Sequence, residues 1–196
     1  MTRATPTTTG AWWAATNASS SVNYYLDSRF AAAVVRLSAA NNFSSLLDVG
    51  AGVGRYVRYY RSQGLSASGV DGLNDVFNRS MGAVDEVDLA KASWCRRADV
   101  VTCLEVMEHV PAAFEEHVVD QLACCAGRRL ILSWAPPLQL GNGHVNLRNV
   151  SYVVKIMERR GWHERADETL ALRQASALRW FRRNVLSFSR QDSAVP

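Results

Sequence analysis

Two histidines and a glutamate are the residues best suited to move a proton. His109 follows a predicted buried strand, and His144 lies among glycines in the segment Gly141 to Asn146. Histidine titrates near neutrality, so either ring suits proton removal from a hydroxyl or an amine. Glu108, next to His109, completes the candidate catalytic set. Each histidine could instead have no catalytic role. His109 would then be a hydrogen-bonded structural residue, and His144 an ordinary loop residue.

A glycine-rich turn is suited to hold a ligand close to the backbone. The short apolar run Leu46 to Val49 predicts a buried strand, and it contains the acidic residue Asp48. Glycines at alternate positions let the chain bend sharply after that strand. A helix predicted from about Arg55 to Gln63 then directs its free N–H groups at whatever the turn holds. The turn consists of Gly50, Ala51, Gly52, Val53 and Gly54. A glycine turn without a ligand is the alternative.

A second carboxylate ends the next predicted strand. The pattern over Ser66 to Val70 predicts a strand, and Asp71 follows it, 23 residues after Asp48. That spacing fits one strand, turn, helix and strand unit. A carboxylate in this place can accept hydrogen bonds from both ribose hydroxyls of an adenosine. The alternative is a helix N-cap, a position that aspartate also favours.

Strands and helices alternate along most of the chain. Further strands are predicted at 83–89, 99–106, 129–134, 162–170 and 184–189. Further helices are predicted at about 22–40, 74–80, 114–126, 151–160 and 171–181. This order is typical of an α/β fold with a mostly parallel sheet.

Two segments resemble motifs of one enzyme superfamily. The pattern Asp48-x-Gly-x-Gly-x-Gly and the segment Leu-Glu-Val-Met-Glu-His-Val-Pro, from Leu104 to Pro111, resemble motifs of class I S-adenosylmethionine-dependent methyltransferases. Dinucleotide dehydrogenases instead need their third glycine where Arg55 stands. The resemblance covers about residues 22–190 and is to the small-molecule methyltransferases of that superfamily.

The resemblance implies a three-layer Rossmann-like fold. Its mostly parallel, twisted sheet would have about seven strands, a C-terminal antiparallel hairpin and helices on both faces. The cofactor would be S-adenosyl-L-methionine, the product S-adenosyl-L-homocysteine, and the methyl group would pass to an oxygen or nitrogen of a small-molecule acceptor. The implied cofactor-binding residues are Asp48, Gly50, Ala51, Gly52, Gly54, Asp71, Gly72, Asp88, Leu89, Leu104 and Glu105. Of these, Asp71 would bind the ribose and Asp88 would approach the adenine amino group.

The acceptor pocket is expected between the loop 136–149 and the N-terminal segment. Aromatic faces can favour a sulfonium cation. The candidate walls are Tyr24, Tyr25, Trp134 and the pair Trp12-Trp13.

Three alternatives remain open. Glu105-x-x-Glu108-His109 with a later histidine resembles the metal site of small-RNA 3′-terminal 2′-O-methyltransferases, where a divalent cation would bind adjacent ribose hydroxyls. We expect no metal, because the loop differs from theirs and metal-free relatives share this motif. A nucleic-acid substrate would use a phosphate-binding face formed by Arg173, Arg179, Arg182 and Arg183. A non-catalytic cofactor-binding protein on the same fold is the third alternative.

Length and composition set the broad class. The 196 residues favour one domain with a sizeable core, expected at 22–190 between a flexible segment 1–21 and a tail 191–196. A formal charge of +4 is too small to argue for nucleic acid, and no apolar run approaches the roughly 20 residues of a membrane span. The four cysteines form no C-x-x-C pair and are expected as reduced thiols. We therefore expect a cytoplasmic monomer or homodimer.

Overall fold

A seven-stranded sheet forms the centre of the molecule. The computed structural model describes residues 5–10, 12–13 and 25–190. The strands of the sheet are β1 (Ser45–Val49), β2 (Ser66–Asp71), β3 (Val84–Glu86), β4 (Ala98–Leu104), β5 (Ala126–Ser133), β6 (Trp162–Glu164) and β7 (Leu186–Arg190). They lie in the order β3-β2-β1-β4-β5-β7-β6. The first five are parallel, and β7 is antiparallel to both of its neighbours.

Helices cover both faces of this sheet. They are α1 (Ser28–Ala40), α2 (Arg55–Ser62), α3 (Val76–Arg79), α4 (Glu115–Cys125), α5 (Val150–Glu158), α6 (Ala166–Ala175) and α7 (Phe181–Asn184). Successive residues of a strand point to opposite faces, so Leu46 packs with α1 and α2 whereas Leu47 packs with α4 and α5. The predicted three-layer α/β fold is therefore confirmed.

Asp27 fixes where the first helix begins. Its Oδ1 accepts a hydrogen bond from the backbone N–H of Phe30 at 3.1 Å, so it caps a helix that starts at Ser28. The prediction of a helix from Val22 is therefore too long, because Tyr25 and Leu26 precede the cap in non-helical conformation. Residues 14–24 lie outside the described part of the chain.

The N-terminal segment contains paired backbone. Thr5–Pro6 and Trp12–Trp13 form a two-stranded antiparallel ribbon within the segment 1–21, which the sequence predicts to be flexible apart from the tryptophan pair. The side chains of Trp12 and Trp13, like the tail 191–196, lie outside the described residues.

The C-terminal third differs from the predicted pattern. The predicted strand at 162–170 ends at Glu164, and α6 occupies the rest, because Thr169 and Leu172 are buried at helical spacing while Leu170 faces solvent. The helix predicted at 171–181 is broken at Ser176. The two closing strands are antiparallel as predicted, and two helices, α6 and α7, connect them where the sequence predicts one. No described helix is long and apolar enough to cross a membrane.

Candidate active site

A cavity of about 340 Å³ opens at the carboxyl ends of β1, β2 and β4. The strand order reverses between β1 and β4, and open α/β sheets bind ligands at such a switch point. Many of the residues predicted to hold a cofactor line this cavity. They are Gly50, Asp71, Gly72, Asp88, Leu89, Leu104 and Glu105. The predicted base His109 lines it as well.

The remaining walls are largely apolar, and sequence reasoning missed several of them. Of the predicted aromatic walls, Tyr25 lines the cavity. Thr9 and Gly10 belong to the N-terminal segment expected at the acceptor pocket, and Val106 and Val110 to the segment from Leu104 to Pro111. The lining residues without a sequence signal are Tyr56, Leu178, Trp180 and Phe181. No lysine or arginine occurs among the described lining residues, although Asp71, Asp88 and Glu105 do. The cavity therefore favours a ligand that is neutral or positively charged.

The glycine turn is held tightly against two neighbouring segments. The N–H groups of Gly50 and Ala51 both donate to the carbonyl of Val70, at 2.8 and 3.1 Å. Gly50 has φ +74°, and a Cβ there would stand 2.2 Å from Cγ2 of Val106. Only glycine fits this close approach without displacing the cavity wall.

Asp71 joins the turn to the end of β2. Its Oδ2 accepts from the N–H of Gly52 and its Oδ1 from the N–H of Leu73, both at 2.7 Å. Burial raises the pKa of this carboxyl, and the two backbone hydrogen bonds offset part of the rise. Each carboxylate oxygen can accept more than one hydrogen bond, so Asp71 keeps capacity for a ligand on its cavity side.

Four of the predicted cofactor residues lie behind the cavity lining. They are Asp48, Ala51, Gly52 and Gly54. Asp48 is buried in β1, where the hydroxyl of Thr102 donates to its Oδ1 at 2.6 Å. Burial, with a smaller contribution from the charge of Asp71, raises the pKa of Asp48 to about 7. These positions shape and support the turn.

Asp88 connects the N-terminal segment to the cavity. Its Oδ2 accepts from the hydroxyl of Thr9 at 2.8 Å, and its Oδ1 accepts from the N–H of Ala90 at 3.1 Å. Lys91 forms an ion pair with the same carboxylate at 3.2 Å. The side chain predicted to approach adenine is thus held by the residues that follow it and by Thr9 of the N-terminal segment.

Glu108, His109 and His144 meet beside the cavity. One donor atom from each side chain lies within 4.8 Å of the others, and Nε2 of His144 is 3.9 Å from Oε1 of Glu108. Glu108 is fully buried, and no hydrogen bond of good geometry reaches either of its oxygens from the described residues. Burial, together with the charge of Glu105, raises the pKa of Glu108 well above its usual range.

Backbone carbonyls fix both imidazole rings. Nδ1 of His109 lies 3.1 Å from the carbonyl of Gly143, and Nδ1 of His144 lies 2.9 Å from the carbonyl of Gln139. A carbonyl only accepts, so Nδ1 carries the proton in each ring and Nε2 carries the lone pair. Burial lowers the pKa of His109 to about 4, so this ring is neutral at pH 7 and a weak base.

Glu105 stands beside this trio, held by other side chains. Ser133 and Asn184 donate to its Oε1 at 2.8 and 2.7 Å, and Gln139 donates to its Oε2. Its backbone has φ +55°, which is uncommon for a residue with a side chain and typical of functional sites. Burial raises the pKa of Glu105.

The loop 136–149 and Trp134 do not occupy the places expected for them. No residue of the loop is among the described residues that line the cavity, and the loop instead supplies His144 and Gln139 next to the two glutamates. Trp134 is buried in the core, where its Nε1 donates to the carbonyl of Asn146 at 2.6 Å. The segment Leu178 to Phe181 provides the wall on this side.

Comparison with solved structures shows the same fold in several methyltransferases. Magnesium protoporphyrin IX methyltransferase from Synechocystis, solved with S-adenosylhomocysteine, shares 20% identity at a TM-score of 0.62, over 82% of this chain and 81% of its own. The sugar N-methyltransferase KedS8 from Streptoalloteichus shares 15% at a TM-score of 0.66, over 86% and 89%. The methyltransferase domain of a bacterial Hen1 protein shares 15% at a TM-score of 0.60, over 85% and 99%.

The family assignment comes from the sequence itself. No curated protein matches it. A family model described as a methyltransferase domain matches residues 22–165, well over half of the chain. The chain therefore belongs to the class I S-adenosyl-L-methionine-dependent methyltransferases.

Proposed function

We propose that this chain transfers the methyl group of S-adenosylmethionine to an oxygen or nitrogen of a small-molecule acceptor. The observation that carries the proposal is the cavity at the sheet's switch point, with Asp71 clamped to the glycine turn at one of its walls. The adenosyl group would lie between Asp71 and Asp88, with Asp71 accepting from the ribose hydroxyls. The methionine part would then lie along Gly50 and Leu104.

The cavity walls suit a sulfonium cation. The rings of Tyr25, Tyr56 and Phe181 line the cavity and offer π-faces, which attract cations. The carboxyl groups of Asp71 and Glu105 add to this preference, because no lysine or arginine is among the described lining residues. The methyl group is already activated by the positive sulfur, so the chain's task is to align the acceptor with it and to remove a proton where needed.

His144 is the better candidate for proton removal. The pKa of His109 is held near 4, which makes that ring a poor proton acceptor at neutral pH. In His144 the lone pair is on Nε2, on the side of Glu108, whose buried carboxyl can share a proton with it. We therefore assign His144 as the base, Glu108 as its partner, and His109 as a cavity wall that orients the acceptor.

The charge of the cavity supports a small acceptor in preference to a nucleic acid. Structural neighbours named for porphyrin and sugar methylation fit this choice. Two of the four arginines considered for a phosphate-binding face are engaged within the chain: Nε of Arg173 donates to the carbonyl of Val185, and Nε of Arg182 to that of Ser176, both at 2.8 Å.

The buried carboxyl group of Glu108, whose oxygens receive no hydrogen bond of good geometry from the described residues, favours a second candidate, a metal-assisted methyl transfer. Glu108, His109 and His144 would hold a divalent cation, because a carboxylate and two neutral imidazoles form a suitable donor set. Both Nδ1–H groups donate to carbonyls, the usual outer support of metal-binding histidines. Such a cation would bind a hydroxyl of the acceptor and ease its deprotonation. This candidate includes the 2′-O-methylation of RNA.

Calorimetry with S-adenosylhomocysteine tests the cofactor site. We expect binding to the wild-type protein and at least a tenfold weaker affinity for Asp71→Asn, because the amide supplies a donor where the ribose also donates. Asp85→Asn, at an exposed carboxylate paired with Arg96, is the matched control and should keep full affinity. A folded wild-type protein that does not bind, or an unaffected Asp71→Asn, would overturn the assignment.

Manganese binding, followed by electron paramagnetic resonance, separates the two candidates. If the trio holds a cation, Glu108→Gln weakens Mn²⁺ binding at least tenfold, while Glu116→Gln, at an exposed ion pair, leaves it unchanged. If wild-type protein binds no Mn²⁺ at millimolar concentration, the metal candidate fails. The base assignment is then tested by His144→Ala, which should abolish turnover of phenol or amine acceptors while cofactor affinity stays within about twofold.

A further inference from the structure

Three cysteine thiols meet outside the cavity. Cys95 lies in the segment 87–97 that connects β3 to β4, and Cys124 and Cys125 are the last two residues of α4. The sulfurs of Cys95 and Cys124 are 3.3 Å apart across 29 residues of sequence, and the Cys95 thiol also contacts Cys125. Cys95 and Cys124 are exposed, whereas Cys125 is buried.

The backbones on both sides of this contact are held in place. Trp94, next to Cys95, is buried, and its Nε1 donates to the carbonyl of Leu89 at 3.3 Å. The N–H of Trp94 donates to the side chain of Gln121, one turn before Cys124 in α4, also at 3.3 Å. The two sulfurs therefore meet because the neighbouring residues are packed together.

A covalent bond between these sulfurs needs little movement. A disulfide has a sulfur–sulfur distance of about 2.0 Å, so the two atoms would approach by about 1.3 Å. The adjacent residues Cys124 and Cys125 cannot easily bridge each other without strain. Because Cys125 is buried, a dissolved oxidant reaches Cys124 before it reaches Cys125.

We propose that Cys95 and Cys124 form a reversible dithiol–disulfide pair that links the segment 87–97 to α4. The reaction partner is a small-molecule disulfide of the glutathione class. A thiolate of the pair attacks it and releases one small thiol, and the second cysteine then displaces the other. In sum the two protein thiols lose two protons and two electrons, and the small disulfide gains both and becomes two thiols.

The proposed disulfide lies close enough along the chain to the cavity lining to affect it. The segment 87–97 also carries Asp88 and Leu89, which line the cavity, and the carbonyl of Leu89 accepts the hydrogen bond from Trp94, next to Cys95. The disulfide would tie this cavity edge to α4 covalently. Burial raises the pKa of Cys95, the hydrogen bond with Cys125 offsets part of the rise and Cys124 adds to it, so the exchange is expected to be faster at pH 8.5 than at pH 7.

Oxidised glutathione at pH 8.5 tests the proposal on the whole protein. We expect the number of titratable thiols to fall from four to two, with peptide mapping showing a Cys95–Cys124 link within one chain. Closing a loop of this length should raise the melting temperature by roughly 3–10 °C, and dithiothreitol should reverse both changes.

Single serine variants give the matched controls. Cys124→Ser should stop at the mixed disulfide of Cys95 with glutathione, form no link within the chain and show no rise in melting temperature, whereas Cys125→Ser should still form the link. If Cys124→Ser does not fold, Cys95→Ala serves the same purpose. A link mapped to Cys125, a link only between chains, or four thiols remaining in wild-type protein would each overturn the proposal.

Discussion

Asp48 is a carboxyl group enclosed by protein at the end of β1 nearest the glycine turn. Its folded-state pKa of about 7 lies far above its ordinary value of 3.8, so the folded chain binds a proton there more tightly than the unfolded chain. The stability that this proton contributes is fully present below about pH 4 and is lost as pH rises through 7. About three pKa units correspond to on the order of 4 kcal/mol.

We expect Asp48→Asn to remove this pH dependence. Asparagine is neutral at every pH and can still accept the hydroxyl of Thr102. The stability of Asp48→Asn relative to wild type should therefore increase by roughly 2–4 kcal/mol between pH 5 and pH 8, measured by urea unfolding.

Asp99→Asn is the control for the Asp48 experiment. Backbone and side-chain hydrogen bonds from Ser44 and Ser45 lower the pKa of Asp99 despite its partial burial, so that carboxylate is already charged at pH 5. Its difference from wild type should be the same at both pH values. A constant difference for Asp48→Asn as well would contradict the assignment of a protonated Asp48.

At the scale of elements, Asp27 connects α1 to the break between α6 and α7. Its Oδ1 caps α1, and its Oδ2 accepts from the hydroxyl of Ser176 at 2.6 Å and from the N–H of Ala177 at 2.7 Å. The pKa of Asp27 is lowered because these hydrogen bonds outweigh the effect of burial. The stabilisation is thus present above pH 3.8 and is lost as the carboxylate is protonated below it.

We expect Asp27→Ala to cost about 2–4 kcal/mol of unfolding free energy at pH 7. The loss combines a helix cap with the buried donors that the carboxylate satisfies. Because the segment after Ser176 forms the cavity wall Leu178 to Phe181, affinity for S-adenosylhomocysteine should fall as well. Asp27→Asn, which keeps an acceptor oxygen for α1, should lose less of both. Equal losses for the two variants would show that the charge alone matters.

The parts of the fold that the sequence predicts correctly are those determined by short stretches of neighbouring residues. The turn after β1 is confirmed in its shape, since Gly50, Gly52 and Gly54 all have positive φ, and the central strands follow from short apolar runs. Trp180 and Phe181 could not be found in this way. They reach the cavity through the contact of Ser176 with Asp27, which joins positions 149 residues apart and leaves no motif. The ligand roles of the turn stay predictions.

At the scale of the whole molecule, the N-terminal ribbon closes one end of the cavity. Thr9 donates to Asp88, and Gly10 packs so closely on His109 that a Cβ would stand 2.3 Å from its carbonyl oxygen. We propose that residues 22–190 fold without this ribbon, because the described core lies in the sheet and its helices.

Removal of residues 1–10 tests whether this segment contributes to cofactor binding without contributing to the stability of the fold. The truncated chain should keep its unfolding free energy within about 1 kcal/mol, since few of its core contacts involve this segment. Affinity for S-adenosylhomocysteine should fall about tenfold by calorimetry, because Asp88 loses its partner Thr9. Thr9→Val in the full chain should reproduce part of that loss. Unchanged affinity in both the truncated chain and Thr9→Val would contradict a role of the ribbon in cofactor binding.

We also expect the acidic lining of the cavity to discriminate against nucleotides that carry phosphates. ATP and the nicotinamide dinucleotides carry the same adenosine group. Their phosphates would enter a cleft where Glu105 and Asp71 stand without an arginine or lysine among the described lining residues. Like charges repel strongly where water is scarce. We therefore expect the site to discriminate against competitors that carry the same nucleoside with a phosphate tail, and to accept the methyl donor's amino-acid tail, whose net charge is zero.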